Sequence, residues 1–525
     1  MVDYIRKRIK DKKVLILGFG REGKSTLKLF LEAGGAKELA IGDLKEFSLK
    51  DLDYLKEDGG KCGAKTGMAE YGAETRAAEY RAETTETEEC NEEEQAVLVK
   101  TADRNRIQFI CGPDYQKAMD DYDLVMKSPG IVLEKPVGEY KAEILSQMQL
   151  IFEVYRDRII GITGTKGKST TTTLLYHILE EAQVPAVLAG NIGIPVFDIV
   201  HEIEVDSLLI LELSCHQLEY MTVSPKRGVL LNIYEEHLDH YGTMEKYVAS
   251  KEKIYANQLP GDLLYVHPSV APKEDSHRGT CIFVETEREA NKGKTEGKEG
   301  VADRTDAADG VVDITLGAGV FLRGTKIIYG KRSFEIPVEK ISLLGVHNYL
   351  DIAFVYGICC DLGIGNEQFE KGLISYVPLP HRLQYIGTVD GVAYYDDSIS
   401  TIDETTIQAL NTIGNADTVL IGGMDRDISY VNLEEYLASS KVAHIILMEA
   451  TGKRIYREIT ENMPDFAGKE RLYVVEHLEE AVALAKEITK KGGSCILSPA
   501  AASYGIFKDF EKRGECFKRL VLEEE

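Results

Sequence analysis

Glycine, lysine, serine and threonine occur consecutively twice in this chain, at 23–26 and at 167–170. A glycine-rich turn that opens a helix gathers free backbone N–H groups, and an adjacent lysine and hydroxyl suit a phosphate and its metal ion. The first copy, in GFGREGKST, satisfies G-x-x-x-x-G-K-[ST] through Gly18, Gly23, Lys24 and Ser25. The second, in GITGTKGKST, has Ile162 where the first glycine belongs. Pattern alone therefore favours the first copy, and the surroundings reverse that choice.

The first copy also reads G-x-G-x-x-G at Gly18, Gly20 and Gly23, directly after an apolar run, and Asp43 stands 20 residues beyond Gly23. This is the spacing of a Rossmann-like unit in which the acid meets a ribose hydroxyl or a base edge. A tight turn without a ligand has the same spacing. Around the second copy, the amides of Gly164, Thr165, Lys166, Gly167, Lys168, Ser169 and Thr170 could wrap a triphosphate at a helix N-terminus. Lys168 would neutralise β/γ oxygens, Ser169 or Thr170 could reach Mg²⁺, and Glu212 ends the apolar run LLILE, where a metal-binding acid belongs. The second loop reads as the ATP loop, and the first as a site for another nucleotide.

More polar groups follow the second loop: Asn191, Ser214, Gln217, Asn232, Glu236, His237, Asp239, His240 and Lys251. They suit a magnesium site that also grips an anionic substrate. His237 and His240 have zinc-like H-x-x-H spacing but lack an evident third ligand. Structural histidines and a solvated lysine are the plain alternatives.

The elements that must hold these groups are α/β units. KKVLILGFG, DRIIGIT and VAYYDDS each begin a series of short apolar strands alternating with helical segments. Near-continuous apolar runs such as SLLILELS and GVLLNI are the pattern of strands buried on both faces of a parallel sheet. We expect three domains, at 1–147, 148–378 and 379–525: a Rossmann-like N-terminal domain, a central P-loop domain with a mainly parallel sheet, and a Rossmann-like C-terminal domain. Two polar stretches, about 58–98 and 283–308, hold too little apolar surface to offset ordering entropy and read as surface insertions.

The 525 residues carry a formal net charge of −25, which disfavours a general nucleic-acid binder. Nine scattered cysteines without a C-x-x-C pair, a start lacking an apolar leader core and no apolar run near 18 residues point to a reduced, cytoplasmic chain without a membrane span.

GITGTKGKSTTT, AGNIGIP, LELSCHQLE, LNIYEEHLDHY with its downstream YVASK, HNYLDIA, LPHRL, DDSIST and LSPAAASYGIFKDFEKRG occur in the order seen in Mur ligases. The chain resembles that family, most of all the branch that joins D-glutamate to UDP-N-acetylmuramoyl-L-alanine in peptidoglycan precursor synthesis. The resemblance implies a UDP-binding N-terminal domain with Gly18, Gly20, Gly23, Lys24, Ser25, Asp43 and Ser128 on the nucleotide-sugar, and Asn191, Ser214 and Gln217 on its muramoyl-peptide part. ATP would meet residues 164–170 with Asn348, Arg382 and Asp397. Magnesium, two ions, would be held by Ser169, Glu212, His237 and Lys251, the last as a lysine carbamate, with Lys168, His237 and Lys251 forming the catalytic set. Thr401, Arg426, Ser503, Tyr504 and Phe510 would line the amino-acid pocket. It further implies a monomer, an acyl-phosphate mechanism and closure of the C-terminal domain.

Two positions depart from the family pattern. Ile399 replaces the lysine of a D-S-K-A-T motif, which passes recognition of the substrate carboxylate to Arg426, and Asp351 stands where HNYxN would supply an amide near the adenine. A sister Mur ligase, folylpolyglutamate synthase, or a non-catalytic binder of muropeptide precursors remain alternatives. An oxidoreductase built on the first loop would leave Glu212 and the histidines unexplained.

Overall fold

The computed structural model describes the whole chain except residues 53, 58–106, 274–276, 287–318, 344–345, 427, 464–465, 467–468 and 524–525. The first polar stretch thus lies outside the described residues. The second is corrected at its start, because Phe283–Thr286 complete a strand, with Val284 fully buried beside Val320. Its alternating side chains give it one apolar face, which overrides the polar composition that follows.

The chain is α/β and parts into two compact units, Met1–Lys340 with Tyr349–Tyr376, and Ile341–Asn348 with Val377–Glu525. The first unit carries two sheets. One has the order β3-β2-β1-β4-β5, all parallel, from β1 (Lys13–Leu17), β2 (Glu38–Asp43), β3 (Ile107–Cys111), β4 (Leu124–Lys127) and β5 (Glu143–Leu145). The other has the order β14-β13-β12-β11-β10-β9-β6-β8-β7. Its parallel part runs through β6 (Ile159–Thr163), β7 (Ala186–Gly190), β8 (Leu208–Glu212), β9 (Arg227–Leu230), β10 (Leu263–Val266) and β11 (Thr280–Thr286) to β12 (Val320–Arg323). β13 (Lys326–Tyr329) and β14 (Arg332–Glu335) complete it as antiparallel edge strands.

Every residue of β6 is buried, as a central parallel strand covered on both faces requires. Its C-terminal end delivers Gly164, and β8 beside it delivers Glu212 to the same sheet edge, with Ile162 paired to Glu212. That edge is where α/β proteins place ligands. The two sheets share one core, in which Phe30 lies 6.3 Å from Phe197, ring centre to ring centre.

The second unit holds a sheet ordered β15-β16-β20-β17-β18-β19: β15 (Gln384–Val389), β16 (Val392–Asp396), β17 (Ala416–Gly422), β18 (His444–Met448), β19 (Leu472–Val475) and β20 (Ser494–Leu497). Only β15 is antiparallel. Among the described residues, no helix is long and apolar enough to cross a membrane, and the seven cysteines are all free.

Candidate functional site

Gly164 and Gly167 turn the chain between β6 and the helix Lys168–Glu181, with φ of +159° and +82°. Gly167 caps that helix in the left-handed region, where a side chain would be strained, and no side chain caps the helix. Its first N–H groups therefore face the loop. Asn232 braces the turn from behind: its carbonyl accepts from Thr165 N at 3.0 Å, and its side chain bonds both Lys166 N (2.8 Å) and Lys166 O (3.1 Å). The Thr165 hydroxyl bonds the Tyr247 hydroxyl at 2.9 Å and accepts from Tyr234 N.

Two lysines converge on this loop. Lys168 Nζ donates to the carbonyls of Gly164 (2.9 Å) and Thr165 (2.8 Å), while Lys251 Nζ donates to Gly164 O at 2.8 Å. Lys251 is 2% exposed, and burial, with the neighbouring Lys168 charge, lowers its pKa to about 7. Glu212 is 1% exposed; one carboxylate oxygen accepts from Asn191 Nδ2 at 2.7 Å and the other has no hydrogen-bond partner. A buried carboxylate oxygen left open at a phosphate loop is the donor that a hard cation takes. Ser169 is half-buried and Thr170 buried on the first turn of the helix.

His237 has φ of +58°, and its ring makes an edge-on contact with that of His216 at 4.9 Å; His240 makes another with His216 at 4.4 Å and approaches Glu219. Burial, then the two neighbouring rings, depress the His216 pKa to about 4. Among the described residues, no three His, Cys, Asp or Glu side chains converge as a metal cage. The Asp239 side chain lies outside the described residues.

The first GKST copy has other contacts. Gly23 packs so closely under the turn that a Cβ there would lie 2.0 Å from Gly18 O. Asp43 accepts from Phe19 N (2.8 Å) and Lys45 N (2.9 Å), which pins the loop after β1 to the end of β2. Lys24 Nζ stands over the rings of Phe19 (5.9 Å) and Tyr54 (5.4 Å), and Gly20 is open to space. Ser25 is buried and donates to Asp198 at 2.6 Å, while Ser128 donates to Gly18 O at 3.0 Å.

Beside the first loop lies a pocket, partly open to solvent, lined by Glu22, Lys127, Gln149, His216, Gln217 and Tyr220 among others. Gln217 donates to Glu22 at 2.9 Å and shares a capping box with Ser214. Lys127, at the end of β4, is 5% exposed; its Nζ donates to Pro129 O at 3.1 Å and stands 5.0 Å from the Tyr220 ring centre. Burial lowers its pKa to about 8 against the pull of Glu219 and Glu22. Sequence reading passed over Lys127 and His216, although a lysine ending the apolar run DLVMK was a visible signal.

In the second unit, Asp397 directly follows β16 at 4% exposure, accepting from Leu383 N (3.1 Å) and Ser498 Oγ (2.7 Å). Burial raises its pKa to about 6, opposed by Ser400, Ser498 and the Arg382 charge. Arg426 donates to Thr401 O at 2.6 Å, which brings those two together. Ser503 is buried, Tyr504 exposed, and the Phe510 ring lies 6.2 Å from that of His381. Asn348 is buried at the start of the helix Val346–Asp361. Sequence reading also missed Arg513, fully buried, which donates to Ser398 O (2.8 Å) and Ala501 O (2.9 Å) and so ties the strand-end loops together.

The Mur ligase middle domain family matches residues 162–353, from within β6 into the helix that carries Asn348. A UDP-N-acetylmuramoylalanine–D-glutamate ligase of Geobacillus sp. (strain WCH70) is 31% identical over 78% of this chain and 86% of its own length. The enzyme of that name from Clostridioides difficile (strain 630) is 32% identical over 79% and 88%, and that of Ligilactobacillus salivarius (strain UCC118) 28% over 98% and 97%. Among solved structures, the UDP-N-acetylmuramate-alanine ligase of Thermotoga maritima superposes with a TM-score of 0.52 at 17% identity, covering 98% of this chain and 100% of its own. The MurF ligase of the same organism, in complex with ADP, gives 0.51 at 15% identity over the whole of both chains. These two share the fold. With relatives above 30% identity aligned over most of both lengths, the chain belongs to the Mur ligase family, on the branch of the UDP-N-acetylmuramoylalanine–D-glutamate ligases.

Proposed function

We propose that this chain is an ATP-dependent amide ligase that adds D-glutamate to UDP-N-acetylmuramoyl-L-alanine. The observation that carries the site assignment is the loop 164–170, with two lysines directed at it and Glu212 one strand away with a buried oxygen open. The alanyl carboxylate attacks the γ-phosphate of ATP, and the bond to the bridging oxygen breaks to release ADP. The amine of D-glutamate then attacks the acyl phosphate carbonyl, phosphate leaves, and the amine proton passes to solvent.

Carboxylate and triphosphate repel each other, so the site's task is neutralisation and alignment. Lys168 can swing from its loop carbonyls onto phosphate oxygens, and the uncapped amides of Gly167 to Thr170 hold the rest. Glu212, Ser169 and His237 would hold magnesium, whose charge offsets that developing on the transferred phosphoryl group. The open Glu212 oxygen fits that assignment. Lys251, buried with its pKa near neutrality, has the free amine that attacks CO₂; the N–C bond forms, a proton leaves, and the carbamate supplies anionic oxygens. The cavity holding Gln217 supports a seat for the muramoyl peptide, and the Gly18–Gly23 turn with Asp43 supports the uridine nucleotide. Asn348, Arg382 and Asp397 would complete the nucleotide contacts, while Thr401, Arg426, Ser503, Tyr504 and Phe510 would take the amino acid. Within this reading the enzyme acts as a cytoplasmic monomer built from three domains.

Carbamylation has its own test. Protein equilibrated with ¹³C-bicarbonate should show one slowly exchanging carbamate carbon resonance, absent in Lys251→Arg. A spectrum without it would remove the carbamate from this scheme.

A further inference from the structure

The phosphate loop carries an unexpected negative charge. Asp351, on the helix Val346–Asp361, is 9% exposed, and its two carboxylate oxygens lie 2.7 and 3.1 Å from where a Cβ on Gly167 would sit. Gly167 is the N-cap of the phosphate-loop helix and has no side-chain cap of its own. The carboxylate therefore stands at the positive end of that helix, in the region that attracts an anionic ligand. The residue that carries it is buried on a second helix. Lys168 and Lys251 both direct their ammonium groups at the Gly164 carbonyl.

We infer that Asp351 makes the loop discriminate by ligand charge, disfavouring metal-free nucleotide and favouring the metal complex. This rests on the reading of the loop as an ATP site. A fixed charge repels a ligand in proportion to the ligand's own charge. Metal-free ATP carries about four negative charges and its magnesium complex about two, so the carboxylate penalises the free form more. Helix and carboxylate also interact favourably while the loop is empty, which raises the barrier to occupation by a weakly matched anion.

The test is nucleotide binding by calorimetry, without turnover, to the full chain and to Asp351→Asn. Each is titrated with ATP in EDTA and again in saturating Mg²⁺. The variant should bind metal-free ATP roughly tenfold more tightly than the parent and the magnesium complex with a smaller gain, so that the preference for the complex narrows. Asp351→Ser, which removes the carboxylate and shortens the side chain, should narrow it as well and serves if the asparagine form does not fold. An unchanged preference in either folded variant overturns the inference. So does a variant that loses affinity for the magnesium complex, since the carboxylate would then be helping to hold the metal or the base. If parent and variants bind no nucleotide in either buffer, the ATP reading of the loop fails and this inference falls with it.

Discussion

The same four residues, Gly-Lys-Ser-Thr, stand at two strand-to-helix turns of one compact unit and make different contacts. At 23–26 the glycine is packed against Gly18 O, the lysine lies over aromatic rings, and the serine is buried on Asp198. At 167–170 the glycine has a left-handed φ, the lysine lies along the loop it would share with phosphate, and an acid with an open oxygen ends the adjacent strand. In the first turn these side chains are occupied by structure, and only the position of Gly20 opens to space. In the second the lysine donates to the carbonyls of its own loop, beside the buried acid. A motif thus specifies a local turn, and the neighbouring strand decides the chemistry.

The comparison breaks most readily at its lysines. Lys168→Met should lower phosphate release from ATP by about 10³-fold or more, because charge stabilisation of the transferred phosphoryl group is lost. Lys24→Met should leave the chemical step within about tenfold and act mainly on the KM for the nucleotide-sugar. Equal losses in kcat would erase the distinction drawn here. Next in size is Glu212→Gln, which keeps shape and the bond to Asn191 but removes the charge. The magnesium concentration for half-maximal turnover should rise at least about tenfold, while a normal magnesium profile would take Glu212 out of the metal site.

The glycines sharpen the contrast through stability. Gly23→Ala sets a Cβ 2.0 Å from backbone, so something rigid must shift, and chemical denaturation should report a loss of about 1–3 kcal/mol. Gly167→Ala meets only the movable end of Asp351, at 2.7 Å, and adds left-handed strain; a loss nearer 1 kcal/mol follows. The reverse order would mean that the first turn is the more adaptable of the two.

The smallest effect is on pH dependence. Lys251 has a folded-state pKa of about 7, below the ordinary lysine value that it regains on unfolding. Between those values the unfolded chain binds more protons, so this group's contribution to stability rises with pH from about 7 towards 10. Below pH 7 both states are charged and the full burial penalty is present. Unfolding followed across that range in CO₂-free buffer should show the rise, and Lys251→Met should flatten it.

Much of this arrangement was legible in the sequence. Buried parallel strands announce themselves as unbroken apolar runs, so IIGIT and LLILE located β6 and β8, and Glu212 at the end of one followed directly. Motif order carried the family. What stayed hidden depends on packing between distant segments. Arg513 carries no local mark of its burial or of its carbonyl partners. The carboxylate of Asp351 is 184 residues from Gly167 in the chain, and no local pattern reports that contact. The polar stretch was started too early because composition averages over Phe283 and Val284, whose strand pairing overrides it.

The most direct test of the account is phosphate release from ATP in the presence of UDP-N-acetylmuramoyl-L-alanine and Mg²⁺, with each candidate amino acid offered separately. Turnover with D-glutamate alone, abolished in Lys168→Met and retained in Lys24→Met, is the predicted result. Turnover with a different amino acid would overturn the acceptor assignment, and turnover surviving Lys168→Met would contradict the central claim that the loop at 164–170 holds the triphosphate.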